Sequence, residues 1–320
     1  MGGRIAERRN FKRYIALIGW GLWMTACPGT VASAEREGKT MLRENLRRHV
    51  EHLTVRIGER NLWKEGTLEQ AAAYIEQTLR QYGYPVERQT YPCYGKTASN
   101  LVAEKQGIGS RIVVGAHYDT VPGSPGADDN ASAVAGLLEL ARLLRESPGT
   151  RPISFVAFAN EEPPFYGSTN MGSMVYAASL KEKNLAVDFM ISLEMIGFFT
   201  REEIQQYPLP VMGLFYPKTA DFIGVVGNFR SWRCVSLLKK GIRRHSGIGV
   251  QTMVGPESVG GINLSDNYSF WRHGFKAVMV TDSAFFRNRH YHQETDTMDT
   301  LNFDSMAEVI LGLFRTLGDM

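Results

Sequence analysis

Five short stretches place acids and histidines just past the ends of apolar, largely β-branched runs. They read Gly115-Ala116-His117-Tyr118-Asp119, Gly126-Ala127-Asp128-Asp129-Asn130, Asn160-Glu161-Glu162, Leu193-Glu194-Met195 and Tyr291-His292-Gln293-Glu294-Thr295-Asp296-Thr297. Nitrogen and carboxylate donors from five separate loops, with one carboxylate to spare, suit a site for two divalent metal ions. Such a pair activates water, so the set points to a hydrolase.

Each stretch has a plainer reading that has to be weighed. His117 ends an apolar run with Asp119 two residues on; in an extended segment the two share a face, so Asp119 is placed to fix the imidazole tautomer. A strand-end histidine beside a solvated aspartate would look the same. Asp128-Asp129-Asn130 stands ahead of a helix, where Asp and Asn cap. A cap does not need two carboxylates and an amide, which frees one for other work, and a carboxylate can bridge two ions. Glu161-Glu162 follows the apolar Phe155-Val156-Ala157-Phe158, and two adjacent buried carboxylates repel unless positive charge compensates them. A metal pair supplies that charge, with one glutamate as ligand and its neighbour free to hold a proton. Glu194 interrupts the apolar run from Phe189 to Ile196 and needs a partner. His292 lies in a polar stretch with no helical or strand period, and completes the set.

The elements that must position these residues follow from periodicity. Apolar spacing predicts helices over 35–57 and 67–82, the second stopped by Gly83. Strands are predicted over 86–91 and 100–104, and a buried strand over 111–115. Then helices (130–145 and 170–183) alternate with buried strands (153–159 and 187–193). Segment 198–211 reads as an irregular excursion. Strands at 222–226 and 277–281, helices near 232–245 and 266–273, and a last helix over 302–317 capped by Asn302 or Asp304 complete the chain. This alternation predicts an α/β fold with a doubly wound, mixed but mainly parallel central sheet flanked by helices, whose active residues gather at the carboxyl ends of the strands.

The chain of 320 residues is 43% apolar and 22% charged, enough to bury a full core. Its formal charge of +3 is carried by residues 1–34, where Arg4, Arg8, Arg9, Lys12 and Arg13 against Glu7 give +4 and leave −1 for the rest. Overall charge thus implies no nucleic-acid or anionic-membrane partner. Residues 1–34 read as an export signal: a basic stretch to Arg13, an apolar run from Tyr14 to Ala26, and Ala32-Ser33-Ala34. Arg8-Arg9-Asn10-Phe11-Lys12 resembles a twin-arginine signal. Met24-Thr25-Ala26-Cys27 resembles a lipobox, which would make Cys27 a lipid anchor. The expected location is therefore periplasmic or secreted in a bacterium, with residues 35–320 as a single catalytic domain. Cys93 and Cys234 are too few for a disulfide scaffold, and no Cys-x-x-Cys suggests a structural zinc.

Together these motifs resemble the M28 family of zinc aminopeptidases and carboxypeptidases over most of the chain from about Met41. The resemblance implies the zinc-dependent exopeptidase fold and two zinc ions per chain. His117 and Glu194 would bind one zinc, Glu162 and His292 the other, with Asp129 between them and Glu161 as general base. Asp129 is preferred to Asp128 because the family's bridging acid precedes Asn or Asp and a small residue, as in Asp129-Asn130-Ala131. Two departures stand out: Ser265-Asp266-Asn267, where many members have His or Tyr third, and Glu instead of the commoner Asp at 194. The expected substrate is a peptide or aminoacyl compound, cleaved at its N-terminal bond, with Met195, Ile196 and Phe198 lining an apolar pocket. Three other readings remain open. One is a glutaminyl cyclase; another is a carboxypeptidase using Arg287 and Arg289 for a terminal carboxylate; the third is a non-catalytic binding module.

Overall fold

In the computed structural model, which describes residues 28–320 apart from Pro148 and Thr150, the apolar runs form the middle of an eight-stranded sheet. The strands are β1 (Val86–Cys93), β2 (Lys96–Lys105), β3 (Arg111–His117), β4 (Ile153–Phe158), β5 (Val187–Glu194), β6 (Phe222–Asn228), β7 (Gly249–Gly255) and β8 (Ala277–Thr281). They lie in the order β1-β2-β4-β3-β5-β8-β6-β7. The inner four, β4, β3, β5 and β8, are mutually parallel. Antiparallel pairs flank them at β1–β2, β2–β4 and β6–β8, and β7 closes the sheet parallel to β6. The doubly wound, mainly parallel sheet is as the alternation predicts.

Continuous apolar runs make these inner strands because both faces of the sheet are covered. On β3, Ile112, Val114 and Ala116 join one core while Val113 joins the other; on β5, Phe189, Ile191 and Leu193 alternate with Met190 in the same way. The larger core is covered by α1 (Pro28–Glu51), α2 (Thr67–Gln81), α3 (Ala133–Arg145), α5 (Trp232–His245) and α7 (Phe303–Gly318), the smaller by α4 (Gly172–Glu182) and α6 (Asn267–Arg272). Each fully buried Val, Leu, Ile or Phe stabilises the fold by roughly 1.5–3 kcal/mol. Helix α3 leads from β3 to β4 on one side, and α4 leads back across β3 to β5 on the other. That reversal opens a crevice at the carboxyl end of β3.

Several boundaries differ from expectation for local reasons. Helix α1 begins at Pro28, inside the span expected as an export signal, whose residues 1–27 lie outside the described residues. It widens into a turn at His52–Ile57 and stops at Gly58, where φ is 83°. Helix α3 starts three residues later than expected because Asp129 and Asn130 leave helical geometry. Strand β7 went unread: it is an edge strand, only partly buried, with no clean alternation. Asn302 caps α7 by accepting from the Ser305 amide. Cys93 and Cys234 are buried and unbonded to each other. Among the described residues no helix is long and apolar enough to cross a membrane.

Candidate metal centre

All six residues of the expected site meet at the carboxyl ends of the parallel strands. His117 ends β3, Glu194 ends β5, and Glu161 and Glu162 follow β4. Asp129 comes from the turn before α3 and His292 from the loop after β8. Asp129 lies between the two imidazoles: its Oδ1 is 3.5 Å from His117 Nε2 and its Oδ2 is 3.2 Å from His292 Nε2. Glu194 Oε2 is 3.4 Å from His117 Nε2, and Glu162 Oε2 is 3.2 Å from His292 Nε2. Two triads, His117–Asp129–Glu194 and His292–Asp129–Glu162, share one carboxylate, and a third grouping, His117–Glu161–Glu162, takes one member from each and adds Glu161. Tetrahedral ligands about 2.0–2.1 Å from a zinc ion stand about 3.3 Å apart, so these separations fit one ion per triad.

The unpaired atoms test that fit. His117 Nε2, His292 Nε2 and Glu162 Oε1 are buried and have no hydrogen-bond partner. His117 Nδ1 lies 3.2 Å from the Asp119 carbonyl oxygen, which can only accept, so the proton sits on Nδ1 and Nε2 offers its lone pair inward. Four carboxyls face two imidazoles in a nearly closed site, with only the His292 side chain as much as 28% exposed. Burial pushes Glu161 well above the ordinary carboxylate range, Glu162 and Glu194 adding to it against the pull of His117. Burial and the Asp129 charge push Glu162 up to about 8. Asp129 is equally buried, yet its contacts with His117 and His292 hold it below the usual range. Burial would lower His292, but Asp129 and Glu162 lift it to about 10. Negative charge is in excess, and a divalent cation would relieve it.

The backbone is held by carboxylates one step behind the cluster. Asp119, expected to hydrogen-bond the imidazole through its carboxylate, meets it through its backbone carbonyl instead; the two carboxylate oxygens accept the amides of Glu161 and Glu162 at 3.0 and 3.1 Å. Asp296 does the same for the amides of Asp128 and Asp129, at 2.9 and 3.1 Å. Each histidine loop thus fixes a carboxylate loop. Nor do Asp128 and Asn130 cap α3. The side chains of Asp128, Asn130 and Ser132 accept the amides of Gly197, Met195 and Ile196 in turn, gripping the chain as it leaves Glu194. Asn160, Met195 and His292, next to or within the ligand set, all have φ between 48° and 60°, strain that such anchoring sustains. Arg60 is fully buried and donates to the carbonyls of Leu53, Gly58, Tyr118, Pro125 and Gly126, tying the β3 outlet to the Asp129 turn. Gly126 is required there, since a Cβ would stand 2.3 Å from the Asp129 carbonyl oxygen.

The apolar pocket is elsewhere than expected. Because the chain after Glu194 is drawn inward, Met195 and Ile196 are fully buried, and Phe198 leans on His290 in an adjoining cleft, across a wall made by Gln206, Phe285 and Phe286. The cleft that does reach Glu194 is mainly apolar and is lined by Met253, Ile262, Met279, Phe285, Phe286 and Tyr291 among others. Among the described residues no lysine or arginine lines it. Arg287, considered for a terminal carboxylate, is shut from solvent: it donates to the Phe222 carbonyl and lies over the Phe199 and Phe222 rings.

Sequence reasoning gave no role to Asp296, Arg60 or Ser132. Asp296, four residues past His292 in a quoted motif, was the one with a signal.

Known proteins resemble this chain in sequence and in fold. YfbL of Escherichia coli K12, itself described as uncharacterized, is 39% identical over 305 residues, covering 92% of this chain and 91% of its own. Leucine aminopeptidase 1 of Ajellomyces capsulatus is 28% identical over 224 residues, and the match spans 64% of this chain but only 52% of the fungal protein. The fold is that of BSAP, a zinc aminopeptidase of Bacillus subtilis, at a TM-score of 0.68 with 15% identity, over 87% of this chain and 94% of the other. The model of peptidase family M28 matches residues 100–316, and the chain belongs to that family.

Proposed function

We propose that this protein is a two-zinc aminopeptidase that removes apolar residues from the N-termini of peptides. The observation that carries the reading is the splitting of the two Asp129 oxygens between the His117–Glu194 and His292–Glu162 pairs. His117, Glu194 and Asp129 would hold one ion, and His292, Glu162 and Asp129 the other. Bound zinc supplies Lewis acidity and lowers the pKa of water from about 16 towards 7.

The protein's own groups do the rest. Glu161 has its Oε2 3.9 Å from His117 Nε2, farther than Asp129 at 3.5 Å and Glu194 at 3.4 Å, and is left for proton transfer when the ions take the nearer oxygens. Burial lifts the Glu161 carboxyl above the ordinary carboxylate range and makes it a stronger base than an exposed glutamate, so Glu161 accepts the proton of the attacking water and delivers it to the departing amine. The excess of carboxyls favours a substrate's free α-ammonium group over a carboxylate. The cleft beside Glu194 takes the side chain of that residue, and burying a large apolar one there is favourable.

A carboxypeptidase would need a cation in this cleft, and among the described residues none lines it. Fold alone does not separate an aminopeptidase from a glutaminyl cyclase, but a one-metal cyclase leaves the second triad without a task. Export through residues 1–34 is part of the same reading, checked by the N-terminal mass of the mature protein.

The test is hydrolysis of a panel of aminoacyl amides by the purified protein. Release of Leu, Met or Phe faster than Ala, and none from N-acetylated substrates, is the expected result. Cyclisation of N-terminal glutamine without amide hydrolysis would replace the reading.

A further inference from the structure

The overall charge of the described chain conceals a strongly basic face. Between Asp221 and Glu257 there is no acidic residue, yet the stretch holds Arg230, Arg233, Lys239, Lys240, Arg243 and Arg244. These six cations belong to a body whose net charge over residues 28–320 is −1. Helix α5 carries most of them. At 100° per residue, its buried Cys234, Val235, Leu238 and Ile242 occupy one arc against the sheet. Trp232, Arg233, Leu237, Lys240, Arg243 and Arg244 fall on the opposite arc, and all are exposed. Among the described residues, none of these four cations forms an ion pair with a carboxylate.

The same face exposes apolar surface that no fold requires. Phe229, in the turn leading into α5, is 62% exposed, Trp232 54% and Leu237 40%. Aromatic and aliphatic groups interleaved with unpaired cations are the composition of a surface that sits at lipid headgroups, with rings at the boundary and cations among phosphates. A nucleic-acid surface would use the cations but leave Leu237 and Phe229 unexplained.

Position adds a second argument. Glu35, in the second turn of α1, pairs with Arg315 at 3.5 Å, and Arg315 donates to the carbonyl of His245 at the end of α5. The point where the chain enters the described fold is therefore beside the basic end of this helix. A lipid on Cys27, the anchor that the lipobox-like Met24-Thr25-Ala26-Cys27 implies, would hold this same end of α5 at a membrane.

We propose that the outer face of α5, with Phe229 at its head, docks on the surface of an anionic phospholipid bilayer. The inference does not rest on the peptidase reading, and its test measures no hydrolysis.

The full-length protein is mixed with vesicles of phosphatidylcholine alone or with added phosphatidylglycerol, beside a Lys240→Gln/Arg243→Gln/Arg244→Gln variant. Both proteins share residues 1–27, so the difference reports on α5. Each cation at an anionic surface is worth roughly fivefold in partitioning, so the variant should bind the phosphatidylglycerol vesicles on the order of 100-fold more weakly. The difference should shrink in high salt. Brominated lipid should quench a component of the fluorescence that disappears in Trp232→Phe. The substituted side chains are solvent-facing, so unfolding midpoints should match. Equal partitioning of variant and parent, or no quenching assignable to Trp232, would overturn the proposal. A parent dimer that the three substitutions dissociate would instead assign the face to self-association.

Discussion

Two clusters of buried charge in this molecule behave in opposite ways. Glu139, on α3, is fully buried, and Arg142 meets it through Nε and Nη2 at 2.7–3.0 Å, Asn45 at 3.0 Å and the Tyr82 hydroxyl at 3.1 Å. Burial alone would raise its carboxyl, but His49 and Arg142 hold it down to about 2. The cluster at the strand ends is as deeply buried, yet three of its polar atoms have no partner and its glutamates are pushed upward. Equal burial has opposite consequences because the first cluster contains its own counter-charge. The second is electrostatically incomplete, and a bound cation would complete it.

Breaking each cluster should expose the contrast. The largest effect expected is on chemistry: Glu161→Gln should lower amide hydrolysis by about 10²–10⁴-fold while metal content, read by mass spectrometry, stays at the parent value. Next is stability. Glu139→Ala leaves Arg142 buried beside an empty place and should cost about 3–5 kcal/mol in urea unfolding. Glu162→Gln in chelator-treated protein removes a repelling carboxyl and should leave the urea midpoint unchanged or raise it.

The two clusters also predict opposite pH dependences. Between the ordinary 4.5 and about 8, the metal-free folded chain keeps a proton on Glu162 that the unfolded chain has lost, so its stability falls as pH rises through that window. His292, ordinarily 6.5 and here about 10, acts in the same direction at higher pH. Glu139 contributes stability that is present above 4.5 and lost as pH falls towards 2. Melting temperatures of the chelated protein should therefore decline from pH 5.5 to 8. Added zinc should reverse that trend, because its ligands must be deprotonated to bind.

Smaller effects should follow from the groups one step removed. Asp119→Asn or Asp296→Asn replaces an acceptor of two amides by a side chain with one carbonyl oxygen, and should weaken zinc binding about 10–100-fold in a chelator competition. Met253→Ala, in the cleft beside Glu194 alone, should lower kcat/KM for Phe or Leu substrates about tenfold relative to Ala. Phe198→Ala, in the other cleft, should leave that preference unaltered.

How far the site could be read from sequence follows from the same physics. His117, Glu161, Glu162 and Glu194 were legible because acids and histidines next to buried strands conflict with their surroundings, and the conflict shows in one dimension. Asp129 and His292 were distinguished from neighbouring polar residues by family resemblance. Arg60, Asp296 and the grip of Asp128, Asn130 and Ser132 on residues 195–197 were not legible, since each acts on backbone groups far away in the chain. The pocket residues were misread for the same cause: that grip turns Met195 and Ile196 inward. Among the elements, the central strands were clear and edge strand β7 was not, because only full burial leaves an unbroken apolar run.

The central claim is that the strand-end cluster lacks only positive charge. Titration of the chelated full-length protein with zinc, followed by calorimetry in two buffers of different ionisation enthalpy, tests it most directly. The account predicts two ions per chain, release of protons on binding, and loss of one ion in His117→Ala and of the other in His292→Ala. No zinc uptake, or uptake indifferent to both substitutions, would contradict it.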